Sequence, residues 1–200
     1  MGTRSDQKAT TRRLILENAE RLFSERGLLS VSTAEIAKAS GVSHGTLFLH
    51  FSRREELHRE VIGRAGGRIA GAVHAASSSQ GDLGEVLRAH LEAIAADEAL
   101  YTWLVIEAPL LGPSARAALV GIQSAVAHHF YELPQMRARN TASDPQPTDR
   151  ALVFNTWIGL VHHYLVNRDL FAPGGSVIER WGESLIGHFV RLLDLKGERS

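Results

Sequence analysis

The chain has 200 residues, 44% hydrophobic and 22% charged, which is ample apolar material for a globular core in one or two domains. Its 22 Lys and Arg balance its 22 Asp and Glu, excluding a uniformly basic nucleic-acid coat or a polybasic membrane anchor, so any charged partner must meet a local patch. The absence of Cys excludes a disulfide framework, a thiolate nucleophile and Cys-ligated zinc, while the polar N-terminus and the lack of an apolar run of roughly 18–20 residues predict a cytoplasmic chain with no membrane partner.

Charge is uneven along the chain. Residues 1–54 carry nine basic against five acidic side chains, a basic head suited to phosphate contact, and the remainder is correspondingly acidic. Helical period dominates from the start: Ile15, Ala19, Leu22 and Phe23 form one stripe, and Gly27 is a C-terminal stop. Ser32-Thr33-Ala34-Glu35 fits a capping box that opens a short helix ending near Gly41. His44 to His50 reads as another short helix with Leu47 and Phe51 inward, and Ser52-Arg53-Arg54-Glu55 as a second capping box opening a long helix from about Arg54 to Ala76. Beyond the Ser77–Gly81 break, helices are expected at about Asp82–Ala96, Asp97–Ala108, Pro113–Ala138, Thr148–Leu170 and Ser176–Leu195. The stretch Asn140 to Pro147 reads as a disordered loop. No strand alternation or repeat period occurs, so the expected fold class is all-α with about nine helices.

Two short helices joined by a tight Gly-containing turn form a DNA-reading unit, because the second is narrow enough to enter the major groove while the first lies across the backbone. Glu35 to Ser40 and Ser43 to His50 meet that description, with Ala37 and Ala39 allowing close approach, Gly41 allowing positive φ and Val42 plugging between the helices. Arg12 and Arg13 could reach phosphate or the minor groove, or simply form a solvated helix face. Gly41-Val42-Ser43-His44-Gly45 also matches the Gly-x-Ser-x-Gly elbow of serine hydrolases, but that elbow needs a strand before its serine and none is expected here.

The residues Ala19-x-x-Leu22-Phe23-x-x-x-Gly27, Glu35-Ile36-Ala37, Gly41-Val42-Ser43-His44-Gly45-Thr46-Leu47-Phe48-x-His50-Phe51 and Arg54-Glu55-Glu56-Leu57 resemble the tetracycline-repressor (TetR) family of bacterial transcriptional regulators over about residues 12–62. The resemblance implies a homodimeric repressor with an N-terminal three-helix DNA-binding domain (residues 1–53), a linker helix (54–76) and a ligand-binding and dimerisation domain (77–200). Carried over by position, Ser43, His44 and Gly45 fall where the family touches base edges, Thr33, Thr46 and His50 where it holds phosphates, and Arg54 at a phosphate-facing position that is usually Lys. Phe48 departs from the family's usual Tyr and lacks the hydroxyl that bonds a phosphate, but it can pack on sugar or a thymine methyl.

In the body, Trp181, Leu185 and Phe189 form one stripe of the last helix and Ile186, Val190 and Leu193 another, while Gly159 on the preceding helix permits a close crossing. Doubled by a two-fold axis, these two helices would make a four-helix dimer interface, the alternative being that both are buried within a monomer. Trp103, Phe154 and Trp157, with the polar Glu107, His128, Asn155 and His162, are the candidates to line an apolar pocket for a small, largely apolar or aromatic effector. His128-His129 and His162-His163 raise a metal site, but adjacent helical residues point about 100° apart, and neither Cys nor a spaced second His completes it, so no metal or cofactor is expected.

The sequence therefore predicts a ligand-responsive repressor bound as a homodimer to a pseudo-palindromic double-stranded DNA operator. Two other readings remain open: an all-helical enzyme using Glu107 and a histidine as acid and base, and a helical interaction protein without DNA reading, to which Phe48 would be the clue.

Overall fold

The computed structural model describes residues 4–79, 81–134, 136 and 147–197, and among these it contains helices and no strand. In chain order they are α1 (Arg4–Arg26), α2 (Thr33–Ala39), α3 (His44–His50), α4 (Arg54–Ser78), α5 (Leu83–Ala95), α6 (Glu98–Glu107), α7 (Pro113–Glu132), α8 (Pro147–Val166), α9 (Arg168–Phe171) and α10 (Val177–Gly197). The loop expected at Asn140 to Pro147 lies, up to residue 146, outside the described residues.

The helix expected to run to Leu170 is interrupted. At Asn167 the backbone leaves helical geometry (φ −104°, ψ 35°), and the Asn167 side-chain amide donates to the His163 carbonyl at 2.8 Å. A short polar side chain that bonds the preceding turn competes with the helix ladder, which accounts for the separate single turn α9.

The chain forms two compact units. The first comprises residues 1–66 and 99–120. Its core takes Ile15, Leu16, Ala19 and Phe23 from α1, Ile36 and Ala37 from α2, Leu47 from α3, Phe51, and Leu57, Val61 and Ile62 from α4. The segment 99–120 adds Leu100, Tyr101 and Leu104. The i, i+4, i+8 spacing of Ile15, Ala19 and Phe23 puts these side chains on one face of α1, so the stripe seen in the sequence is the buried one.

The second unit comprises residues 67–98 and 121–200. Here α10 packs along α5 and, less extensively, α8, and Arg88 on α5 grips Glu183 on α10 with two hydrogen bonds of 2.6 and 2.9 Å. An Asp82–Glu85 capping box that the sequence reading did not single out opens α5.

Candidate nucleic-acid interface

The short helices α2 and α3 are both capped and anchored in the core, by Ile36 and Ala37 on α2 and Leu47 on α3. Ser32 accepts from the Glu35 amide while the Glu35 carboxylate takes the Ser32 amide, the expected capping box. Those Ser32 hydrogen bonds, with Arg26 beside them, hold the Glu35 carboxyl down at about 2. The far end of α2 closes by donation from the Gly41 amide to the Lys38 carbonyl (3.2 Å) and from the Val42 amide to the Ala37 carbonyl (3.0 Å). This paired closure requires a left-handed residue, and Gly41 supplies it at φ 66°. Ser43 then caps α3, its hydroxyl accepting from the Thr46 amide at 3.0 Å. The Gly-x-Ser-x-Gly match is thus a helix end followed by a helix cap, without the preceding strand that a nucleophile elbow needs.

Side chains tie the two helices into one surface. Thr33 Oγ1 lies 2.9 Å from His44 Nε2, Ser43 Oγ lies 2.8 Å from Thr46 Oγ1, and the His44 ring meets Phe48 edge-on at 4.9 Å between centroids. Leu47 turns into the core, whereas Ser43, His44, Gly45 and Phe48 are exposed. A Cβ on Gly45 would meet nothing nearer than the Ser43 hydroxyl at 3.9 Å, so no packing demand explains this glycine.

Leu49 was not among the residues singled out from the sequence, yet it is 82% exposed on α3 and is the most exposed large hydrophobic side chain described. The signal was available: with Leu47 and Phe51 both inward on so short a helix, the residue between them points away from the core.

His50 and Arg54 are engaged internally. His50 is half-buried, its enclosed Nδ1 has no hydrogen-bond partner, and burial together with Lys8 and Arg12 pushes its pKa down. The His50 carbonyl accepts from Arg12, which also pairs with Glu60 and lies over the Phe51 ring at 4.1 Å. Arg54 directs Nη2 at the carbonyls of Leu28, Leu29 and Val31, at 2.8, 3.0 and 2.9 Å. Lys38 and Arg53 are exposed.

The second capping box differs in register. Ser52 is held by Glu56, which accepts from its amide (2.9 Å) and hydroxyl (3.0 Å), because α4 begins at Arg54 and the reach-back position falls one residue beyond Glu55.

The candidates for effector contact fall in different places. Trp103 and Glu107 belong to the first unit, where Glu107 is buried and its Oε2 accepts from the Leu28 and Leu29 amides at 2.6 and 3.0 Å. Phe154, Trp157 and His162 belong to the second. There Trp157 is fully buried, its indole N–H donates to His90 Nδ1 at 3.2 Å, and Phe189 lies 5.3 Å from it, centroid to centroid. Phe154 meets Phe130 at 6.0 Å. Burial drives the His90 pKa down to about 3 and that of His162 to about 4. His128 and Asn155 are exposed. No group of three or more His, Asp or Glu among the described residues is arranged to hold a metal ion.

Of the dimer candidates, Leu185, Ile186, Phe189 and Leu193 are buried within the single chain, Trp181 and Val190 are half-buried, and Gly159 is exposed. Leu152 and Val166 on α8 and Leu192 on α10 also reach solvent.

Residues 15–61 match the family model described as bacterial regulatory proteins, tetR family. The chain is similar to the HTH-type transcriptional regulator AcrR of Shigella flexneri, 44% identical over 62 residues that cover 30% of this chain and 29% of that protein. It is also similar to the HTH-type transcriptional repressor AcnR of Corynebacterium efficiens, 34% identical over 101 residues that cover 50% of this chain and 49% of that one. The chain thus spans half or less of the length of these curated relatives. Among solved structures, a putative tetR family transcription regulator from Shewanella sp. PV-4 matches with a TM-score of 0.65 at 26% identity over 91% of this chain and 95% of that one. A tetR-family regulator from Streptomyces coelicolor shares the fold with a TM-score of 0.72, at 20% identity over all of this chain and 85% of its own. No described helix is long and apolar enough to cross a membrane.

Proposed function

We infer that this chain, whose residues 15–61 match the family model of bacterial regulatory proteins, tetR family, is a DNA-binding transcriptional regulator of that family that reads an operator with α3 and is released by a small-molecule effector. The observation that carries this reading is the surface joining Thr33, Ser43, His44, Gly45, Thr46 and Phe48, held by helix caps and side-chain pairs and left open to solvent at its centre. Ser43, His44 and Gly45 read base edges, Thr33 and Thr46 meet phosphates, and Phe48 with Leu49 packs on sugar or a thymine methyl. Lys38 and Arg53 supply exposed positive charge for the backbone.

The regulator acts as a homodimer, so that two copies of α3 enter successive major grooves about 34–36 Å apart on a pseudo-palindromic site. The functional division is a DNA reader in residues 1–53, a linker helix in 54–76, and effector binding and dimerisation in 77–200. A small, largely apolar or aromatic effector would meet the aromatic cluster of the second unit, with Phe154 and Trp157 as apolar contacts and His162 as a polar one. Effector binding lowers DNA affinity only by preferring the conformer that holds DNA less well. These roles belong to a regulator rather than an enzyme, since its relatives are named as regulators.

The test is selection against a random double-stranded DNA library, followed by anisotropy titration of the winner at several salt concentrations. An enriched inverted repeat bound with a steep salt slope supports the reading. No enrichment, with only weak salt-labile binding, would contradict it and favour the interaction protein without DNA reading.

A further inference from the structure

The turn that leads from α1 into α2 is held at both electrical poles by side chains from elsewhere in the first unit. Glu107 accepts the Leu28 and Leu29 amides on one carboxylate oxygen, at 2.6 and 3.0 Å. Arg54 gives one guanidinium nitrogen to the carbonyls of Leu28, Leu29 and Val31. Together they satisfy the amides and carbonyls of both leucines, of which Leu28 is buried and Leu29 is exposed.

Two further observations show that the arrangement is specified. Glu107 is the last residue of α6, the helix end where the dipole disfavours a carboxylate, and it is 6% exposed, so neither helix stability nor solubility accounts for it. Gly27 adopts φ 84°, and a Cβ there would lie 2.5 Å from Glu107 Oε1 and 3.1 Å from Trp103, so the residue before the turn leaves space for the carboxylate. Arg54 is kept in line by its Nε, 3.4 Å from His58 Nε2. That imidazole accepts because burial and the Arg54 charge hold His58 neutral, with a pKa of about 4.

We propose that Glu107 and Arg54 are positioning residues for operator reading, a two-pole clamp that sets where α2 and α3 stand on the α1–α4 scaffold. Arg54 serves DNA binding through this turn rather than through a phosphate. The proposal rests on the DNA-reading function inferred above.

The experiment compares Glu107→Ala, Glu107→Gln, Arg54→Ala and Arg54→Gln with the unmodified protein on the selected duplex, at temperatures where circular dichroism shows every variant folded. Two readouts are taken: the salt slope of binding, and hydrogen exchange at the Leu28 and Leu29 amides. The clamp predicts that Glu107→Ala weakens binding about tenfold or more, because the turn is no longer held where α2 and α3 can dock, whereas Glu107→Gln, which still offers an acceptor oxygen, stays within about threefold. Both Arg54 variants should leave the salt slope unchanged. If Arg54 instead touches phosphate, either substitution lowers the slope by about 0.9, the contribution of one phosphate, and that result overturns its positioning role. Faster exchange at Leu28 and Leu29 in Glu107→Ala supports the clamp, and unchanged exchange overturns it. If the unmodified protein selects no DNA, the functional reading falls and the operator role of the clamp with it. The clamp as a structural device is then judged by exchange alone.

Discussion

Replacing Gly45 by Ala separates folding from DNA reading, because the structure predicts opposite signs for the two. Gly45 lies in α3, the Cβ of an Ala would have only the Ser43 hydroxyl within 4 Å, at 3.9 Å, and its backbone does not need the left-handed region. Ala in a helix is favoured over Gly by about 0.8–1.0 kcal/mol at interior positions, and a position in the first turn should realise about half to all of that. In a chain of this length the gain corresponds to a rise in Tm of about 1–4 °C. The same Cβ would stand between α3 and the base edges, so operator affinity should fall about tenfold, or about 1.4 kcal/mol. Urea unfolding and anisotropy on the selected duplex give both numbers from one preparation. A variant that is more stable and binds equally well would refute the placement of Gly45 against DNA. A variant that is less stable would refute the open space assigned to it.

Three other expectations follow from particular contacts. Ser43→Ala removes the cap on the Thr46 amide and should cost about 1 kcal/mol in denaturant unfolding. Leu49→Ala, at a side chain 82% exposed, should change stability by less than about 0.5 kcal/mol while weakening operator binding, and equal affinity in titration would remove Leu49 from the interface. His90 has a pKa depressed from 6.5 to about 3 by burial, so its neutral form contributes stability that is complete above 6.5 and is lost as pH falls from there toward 3. The slope from this residue approaches about 1.4 kcal/mol per pH unit, and unfolding curves between pH 6.5 and 5 should be flatter for His90→Gln than for the unmodified protein.

Local chemistry was the legible part of the sequence. The Ile15–Ala19–Phe23 stripe, the Ser32–Glu35 box and the Gly41 turn each depend on residues within a turn or two of one another, and each recurs in the structure. Glu107 could be recognised as a carboxylate that needs partners when buried, but its partners are backbone amides 78 and 79 positions away, and backbone amides leave no mark in a side-chain pattern. Arg54 is similar: its charge and position point to phosphate, while the three carbonyls it meets are invisible until the chain is folded. The doubly apolar α10 shows a limit of periodicity, because Leu185 and Ile186 need burial but their spacing does not say whether the cover comes from the same chain. Here they are buried within it. The break at Asn167 was missed because an apolar stripe running through Leu165 and Leu170 outweighed one polar residue.

The central claim is that α3 reads base sequence, and the most direct measurement repeats the library selection with His44→Ala beside the unmodified protein. His44 sits at the exposed start of α3, braced by Thr33 and Phe48, so the account predicts that both proteins enrich an inverted repeat of the same half-site spacing, with base preference relaxed at the same symmetric positions in each half. Identical preferences at every position, with affinity lowered evenly across all sequences, would contradict it.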